Sequence, residues 1–201
     1  MTAQAAATDV ARILIVDDQK LFRTGLAKLL EEYEQLQIVG QAADADQALE
    51  QVRRLKPDIV LMDLRLPGMD GVEATRKIVS DHPAIKVLVL TTFDVDSYVI
   101  QALRAGASGY VLKDSDVESI ARSILTVMAG ERVMATKVAN RVLDMLSGNS
   151  TSKEYYDGLT AREIEILKLM AGGLANKQIA YRLRISEKTV RNHITAIFEK
   201  L

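Results

Sequence analysis

The chain is predicted to be an α/β protein: a doubly wound, five-stranded parallel sheet followed by a small all-α unit. Three observations predict it. Five short apolar runs recur between residues 12 and 130, separated by amphipathic stretches. Each run is apolar at consecutive positions, as strands covered on both faces must be. Beyond about residue 157 the strand-like runs stop, and the periodicity is helical throughout.

The runs occupy residues 13–16, 37–40, 59–62, 87–90 and 109–112. Between them, Leu21, Phe22, Leu26, Leu29 and Leu30 share one helical face, as do Val117, Ile120, Ala121, Ile124 and Met128. Five β–α units of this kind wind into a parallel sheet with helices on both sides. A further helix is predicted over residues 134–146, with Val138, Val142, Met145 and Leu146 on one side. The string SGNSTSKEYYDG then breaks the period and reads as linker. In the tail, Thr160 and Glu163 form a capping box, in which hydroxyl and carboxylate each satisfy a free N–H at a helix start. Gly172-Gly173 stops that helix, Asn176 is placed to cap a short one, and Ser186 another that runs to residue 201.

The 201 residues suit one large domain or two small ones, and 48% hydrophobic content suffices for real cores. Residues 1–152 carry 17 basic against 21 acidic side chains, whereas residues 153–201 carry 9 against 6. A cationic tail on an acidic body points to nucleic acid at that end. With no cysteine, a disulfide framework and a thiolate metal site are excluded. No apolar run has membrane-spanning length and the first residues lack a signal-peptide pattern, so no membrane partner and a cytoplasmic location are expected.

Four polar patches fall at strand ends: Asp17-Asp18, Asp63, Thr91-Thr92 and Lys113. In an open parallel sheet, ligands bind outside the carboxyl ends of the strands. Three converging carboxylates repel one another unless a cation joins them, and an all-oxygen donor set selects a hard ion such as Mg²⁺. A carboxylate can also act as nucleophile towards phosphorus. Asp63, alone on its loop, is the best acceptor. Asp18 is expected to bind the metal directly and Asp17 through water. Lys113 and Thr91 would meet the phosphoryl oxygens. Each residue alone has a plainer role as cap, turn former or solvated charge; the four in this order reverse those odds.

The strings ILIVDD, IVLMDLRLPGMDG, VLVLTTF and GASGYVLKD resemble the receiver domain of two-component response regulators over residues 10–130. The resemblance implies the flavodoxin-like sheet, phosphorylation of Asp63 by a sensor histidine kinase, a switch pair of Thr91 and Tyr110, and the backbone carbonyl of Arg65 in the metal site. Pro67 and Gly68 would shape the acceptor loop. Asp114 departs from the pattern, because many receivers have proline after the lysine.

In the last helix Val190, Ile194, Ile197 and Leu201 form an apolar back, while Lys188, Arg191, Asn192 and Thr195 form a polar, cationic front. Arg can read guanine and Asn adenine; Lys188, Thr189 and His193 are placed for phosphates. The strings LTAREIEIL, NKQIAYRL and SEKTVRNHI resemble the LuxR-type (NarL/FixJ) helix-turn-helix domain over residues 157–201, with 131–156 as linker helix and linker. That resemblance gives His193 a second possible role, in a dimer contact. It also implies a fourth helix after residue 201, without which the tail would be short of packing partners. The joint reading is a phosphorylation-activated DNA-binding regulator that dimerises on double-stranded DNA. Two alternatives remain: a phosphorylation-independent DNA binder with the first domain as dimerisation module, and a phosphohydrolase. Against the enzyme stands Arg65, where such enzymes need an acid two positions after the nucleophile.

Overall fold

The computed structural model describes residues 10–92, 96–148 and 158–200, with the side chains of 96–99, 141 and 144–148 outside that description. The first half alternates strictly: β1 (Ala11–Val16), α1 (Lys20–Leu30), β2 (Leu36–Ala42), α2 (Ala45–Leu55), β3 (Ile59–Met62), α3 (Gly71–Asp81), β4 (Lys86–Thr91), α4 (Asp96–Arg104), β5 (Gly109–Leu112) and α5 (Val117–Met128). With β6 (Val133–Met134) at one edge, the strands pair in parallel in the order β2-β1-β3-β4-β5-β6, and the reversal at β1 and β3 marks the place where a ligand crevice opens. One layer under the sheet joins Ile13, Ile59, Leu61 and Leu88 to Leu26, Leu30, Ile120 and Ile124. The opposite layer joins Leu14, Val60 and Val87 to Ala48, Val52, Ala74 and Ile78. Burying one such aliphatic side chain contributes about 1.5–3 kcal/mol, which explains why the strands had to be apolar on both faces.

Three expectations are corrected. The sheet has six strands, not five: β6 (Val133–Met134) pairs with β5, so Met134 is strand rather than helix. The chain leaves α5 through Gly130, whose φ of +83° suits glycine, and returns along β5 with Val133 N–H bonded to Ser108 and Ala135 N–H to Tyr110. Two residues are too few to show a period. Second, Leu21 is 87% exposed and Leu29 44%, so the buried face of α1 is narrower than the apolar stripe. Third, Ala175 rather than Asn176 precedes the short tail helix, and the Gln178 side chain accepts from its N–H at 2.9 Å.

The remaining helices are α6 (Thr136–Gly148), α7 (Ala161–Ala171), α8 (Asn176–Leu183) and α9 (Glu187–Lys200). The side chains of Met145 and Leu146, residue 201 and most of the expected linker lie outside the described residues. The capping box on α7 is present in both directions, and Ser186 accepts from Thr189 N–H at 3.0 Å to start α9. The α9 stripe is not short of partners in the full chain. Val190, Ile194 and Ile197 are buried, and one continuous cluster joins them to Ile166 of α7, Val138 of α6 and Ala102 of α4. The α4 face of the sheet domain thus supplies part of the cover.

Candidate phosphoryl-acceptor site and nucleic-acid face

Backbone bonds beyond the strand ends hold the four patches side by side. Asp63 N–H donates to Val16 C=O at 2.9 Å, and Lys113 N–H to Thr91 C=O at 2.8 Å. Asp17 and Asp63 are buried, Asp18 is exposed, and a ligand oxygen from each lies within 4.8 Å of the others. Gln19 N–H donates to Asp17 Oδ1 at 2.9 Å, and Arg65 N–H to Asp63 Oδ1 at 3.2 Å. Those bonds leave the other oxygens facing the crevice, where Lys113 Nζ meets Asp17 Oδ2 at 2.6 Å and Asp63 Oδ2 at 2.7 Å.

Two constraints shape the loop after Asp63. Gly68 has φ of +78°, a left-handed turn that other residues adopt at a cost. At Gly71 an added Cβ would stand 2.1 Å from the Asp63 carbonyl oxygen, so only glycine lets α3 begin this close to Asp63. Asp70 caps α3 by accepting from Glu73 N–H at 2.8 Å.

Three carboxylates against one ammonium leave an excess of negative charge in a largely buried place. Burial raises the Asp17 pKa above its ordinary value, and bonds from Lys113 and Gln19 only partly oppose this. Burial alone would lower the Lys113 pKa, but bonding and attraction from Asp17 and Asp63 outweigh it and raise the value. The lysine is therefore a fixed cation. The donor chemistry fits a hard divalent metal, since every side-chain ligand is oxygen and two carboxylates compete for a single ammonium. The comparison with sequence is close here: Asp17, Asp18, Asp63 and Lys113 come together, and Thr91 is buried at the end of β4. The Thr91 hydroxyl donates to the Thr92 carbonyl at 3.3 Å; Tyr110 on β5 is fully buried, and burial lifts its hydroxyl pKa well above the ordinary range. Arg65 is exposed and meets Asp63 through its amide. Asp114, in the place of proline, pairs with Lys137 of α6 at 3.2 Å.

Sequence reading missed Phe22, whose ring centroid lies 5.0 Å from Lys113 Nζ. Its place on an apolar stripe gave no sign of that contact.

In the tail, Lys188 and Asn192 are exposed, while Thr189, Arg191, His193 and Thr195 are half-buried. Thr189 shares a 2.8 Å hydroxyl bond with Ser186. Arg191 Nη1 pairs with Glu131 Oε1 at 3.0 Å, and Asn176 Nδ2 donates to Glu131 Oε2 at 3.0 Å. Arg132 stacks over Phe198 at 5.2 Å, and Asn140 donates to the Ala171 carbonyl at 3.1 Å. Glu131, Arg132, Asn140 and Asn176 thus form a polar rim around the apolar contact between α4, α6, α7 and α9. None of these contacts carried a sequence signal, because the partners stand 31 to 66 residues apart.

A crevice of converging acids and one lysine at the carboxyl end of a doubly wound sheet, joined to a three-helix unit ending in an amphipathic helix, defines a receiver coupled to a helix-turn-helix domain. Comparison with known proteins agrees. Residues 13–125 match the response regulator receiver domain, and residues 157–201 match the bacterial regulatory proteins of the luxR family. The transcriptional regulatory protein LnrK of Bacillus subtilis is 43% identical over 199 residues, with 94% of this chain and 90% of the relative covered. LiaR, a transcriptional regulatory protein of the same organism, is 40% identical over 190 residues, covering 94% and 90%. The crystal structure of the response regulator ChrA, from a heme-sensing two-component system, superposes with a TM-score of 0.59 at 33% identity, covering 96% of this chain and 90% of that one. The chain belongs to the LuxR family of response regulators. No helix among the described residues is long and apolar enough to cross a membrane.

Proposed function

We propose that this protein is a cytoplasmic transcription regulator that accepts a phosphoryl group on Asp63 from a sensor histidine kinase. The observation that supports this best is the Asp17–Lys113–Asp63 arrangement, with bonds of 2.6 and 2.7 Å, at the strand ends where the receiver family carries its chemistry. An Asp63 carboxylate oxygen attacks phosphorus while the bond from phosphorus to the kinase imidazole breaks, and the imidazole keeps the electron pair. Mg²⁺, held by Asp17, Asp18, Asp63 and the Arg65 carbonyl, would neutralise charge on the transferred group. Lys113 then exchanges its bond to Asp63 for one to a phosphoryl oxygen. Thr91 offers its hydroxyl to another, giving up its bond to the Thr92 carbonyl and changing the surroundings of Tyr110.

Tyr110 belongs to the same apolar cluster as Ala102, Val138 and Ile194. A change at Thr91 and Tyr110 therefore reaches the contact that ties Arg191 to the receiver. Releasing it frees Lys188, Thr189, Arg191, Asn192, His193 and Thr195 for duplex DNA. Homodimers would then place two recognition helices about one DNA turn apart. Because α4 is covered by the tail, the first and fifth helices are the available receiver face for pairing. Incubation with Mg²⁺ and a small phosphodonor is expected to label the protein, and Asp63→Ala to abolish that label. Size exclusion with beryllofluoride and Mg²⁺ is expected to report dimers. Labelling of Asp63→Ala at the original level would overturn the acceptor assignment, and DNA affinity indifferent to beryllofluoride would overturn the switch.

A further inference from the structure

We propose that Phe22 is a positioning residue of the acceptor site, acting through Lys113. The proposal rests on the reading of Asp63 as phosphoryl acceptor. An ammonium has three N–H donors, and Lys113 directs bonds to Asp17 at 2.6 Å and Asp63 at 2.7 Å. The face of Phe22 meets the same nitrogen at 5.0 Å, within the range at which a ring quadrupole attracts a cation. The neighbouring Arg23 donates from Nη1 to the Asp17 backbone carbonyl. The first turn of α1 therefore grips both the lysine and the end of β1.

Phosphorylation changes one of these neighbours. Once an Asp63 oxygen is bonded to phosphorus, it loses its charge and much of its hold on Lys113. Asp17 keeps its charge, which a bound divalent ion would share. The ring is the neighbour that the reaction leaves unaltered, so it holds the ammonium in reach of the phosphoryl oxygens while the other contacts exchange. Leu21, one residue earlier and 87% exposed, is the natural control on the same turn.

Full-length Phe22→Leu, Phe22→Tyr and Leu21→Ala test this. In the unmodified protein, proton NMR should show the Lys113 ε-methylene shifted upfield by the ring, retained with Tyr and lost with Leu. With Mg²⁺ and beryllofluoride, Phe22→Leu is expected to bind the phosphoryl mimic about two- to fivefold more weakly. Phe22→Tyr and Leu21→Ala should stay near the original affinity. Equal losses in the Leu and Tyr variants, no loss with Leu, or no ring shift in the original protein would each overturn the proposal. An original protein that binds no beryllofluoride overturns the acceptor reading and this role with it; binding that ignores Phe22→Leu overturns the role alone.

Discussion

Replacing Glu131 with alanine removes the carboxylate that holds two side chains of the DNA-binding domain. Its pair with Arg191 spans 3.0 Å, with side chains 24% and 41% exposed, so water screens it and it contributes about 0.2–1 kcal/mol. The second bond, from Asn176 at 3.0 Å, has a neutral donor and contributes about 0.5–1.5 kcal/mol. Together the loss is about 1–2 kcal/mol, which shifts the closed-to-open ratio roughly five- to thirtyfold. Unphosphorylated Glu131→Ala should therefore bind duplex DNA more tightly by up to that factor, while the beryllofluoride-activated forms of variant and original protein bind alike. Fluorescence anisotropy with a labelled duplex at fixed salt measures both, and amide exchange at Ala102 and Ile194 reports the contact itself. Unchanged affinity together with unchanged exchange would refute the reasoning; tighter binding in both activated and resting forms would mean that the carboxylate merely repels DNA.

Two further outcomes follow from single contacts. Gly71→Ala forces a Cβ to within 2.1 Å of the Asp63 carbonyl and 2.7 Å of the Leu64 Cα, both backbone atoms. A cost of about 1–3 kcal/mol is expected, read as a lower Tm together with weaker labelling of Asp63. The pH response of the tail should be set by Glu163. Burial would raise its pKa, but Lys200 at 2.8 Å and the Thr160 bonds more than reverse this and hold it below the ordinary 4.5. A lowered folded pKa gives stability that is complete above the ordinary value and lost as pH falls through the folded one. Denaturant unfolding followed by circular dichroism should therefore show the original protein more stable than a Glu163→Gln variant above pH 4.5, with the difference vanishing as pH falls through the lowered folded pKa while the variant stays flat across that window.

The strands were legible because a doubly covered sheet demands uninterrupted apolar runs, and the crevice because its acids and lysine sit where those runs end. Ranges 59–62 and 109–112 agree with β3 and β5 to the residue. What stayed illegible has a common physical origin. The sixth strand exists only because β5 offers an open edge, and Val133-Met134 has no pattern of its own. Leu21 follows the helical period of its neighbours yet faces water, since helix periodicity fixes direction but not what stands opposite. Glu131 looks like any charge after a helix until the chain folds Arg191 against it from 60 residues away.

The short sixth strand also decides where the tail's leash is fastened. By pinning residues 133–134 to the sheet rim, it starts that leash beside β5 instead of at the end of α5. Receiver and tail then face each other at an effective concentration on the order of millimolar, whatever the dilution of the sample. Closure is accordingly a first-order event, whereas pairing of two molecules is second-order. A dilution series separates the two: opening will look the same at every concentration, and only the meeting of two copies will respond.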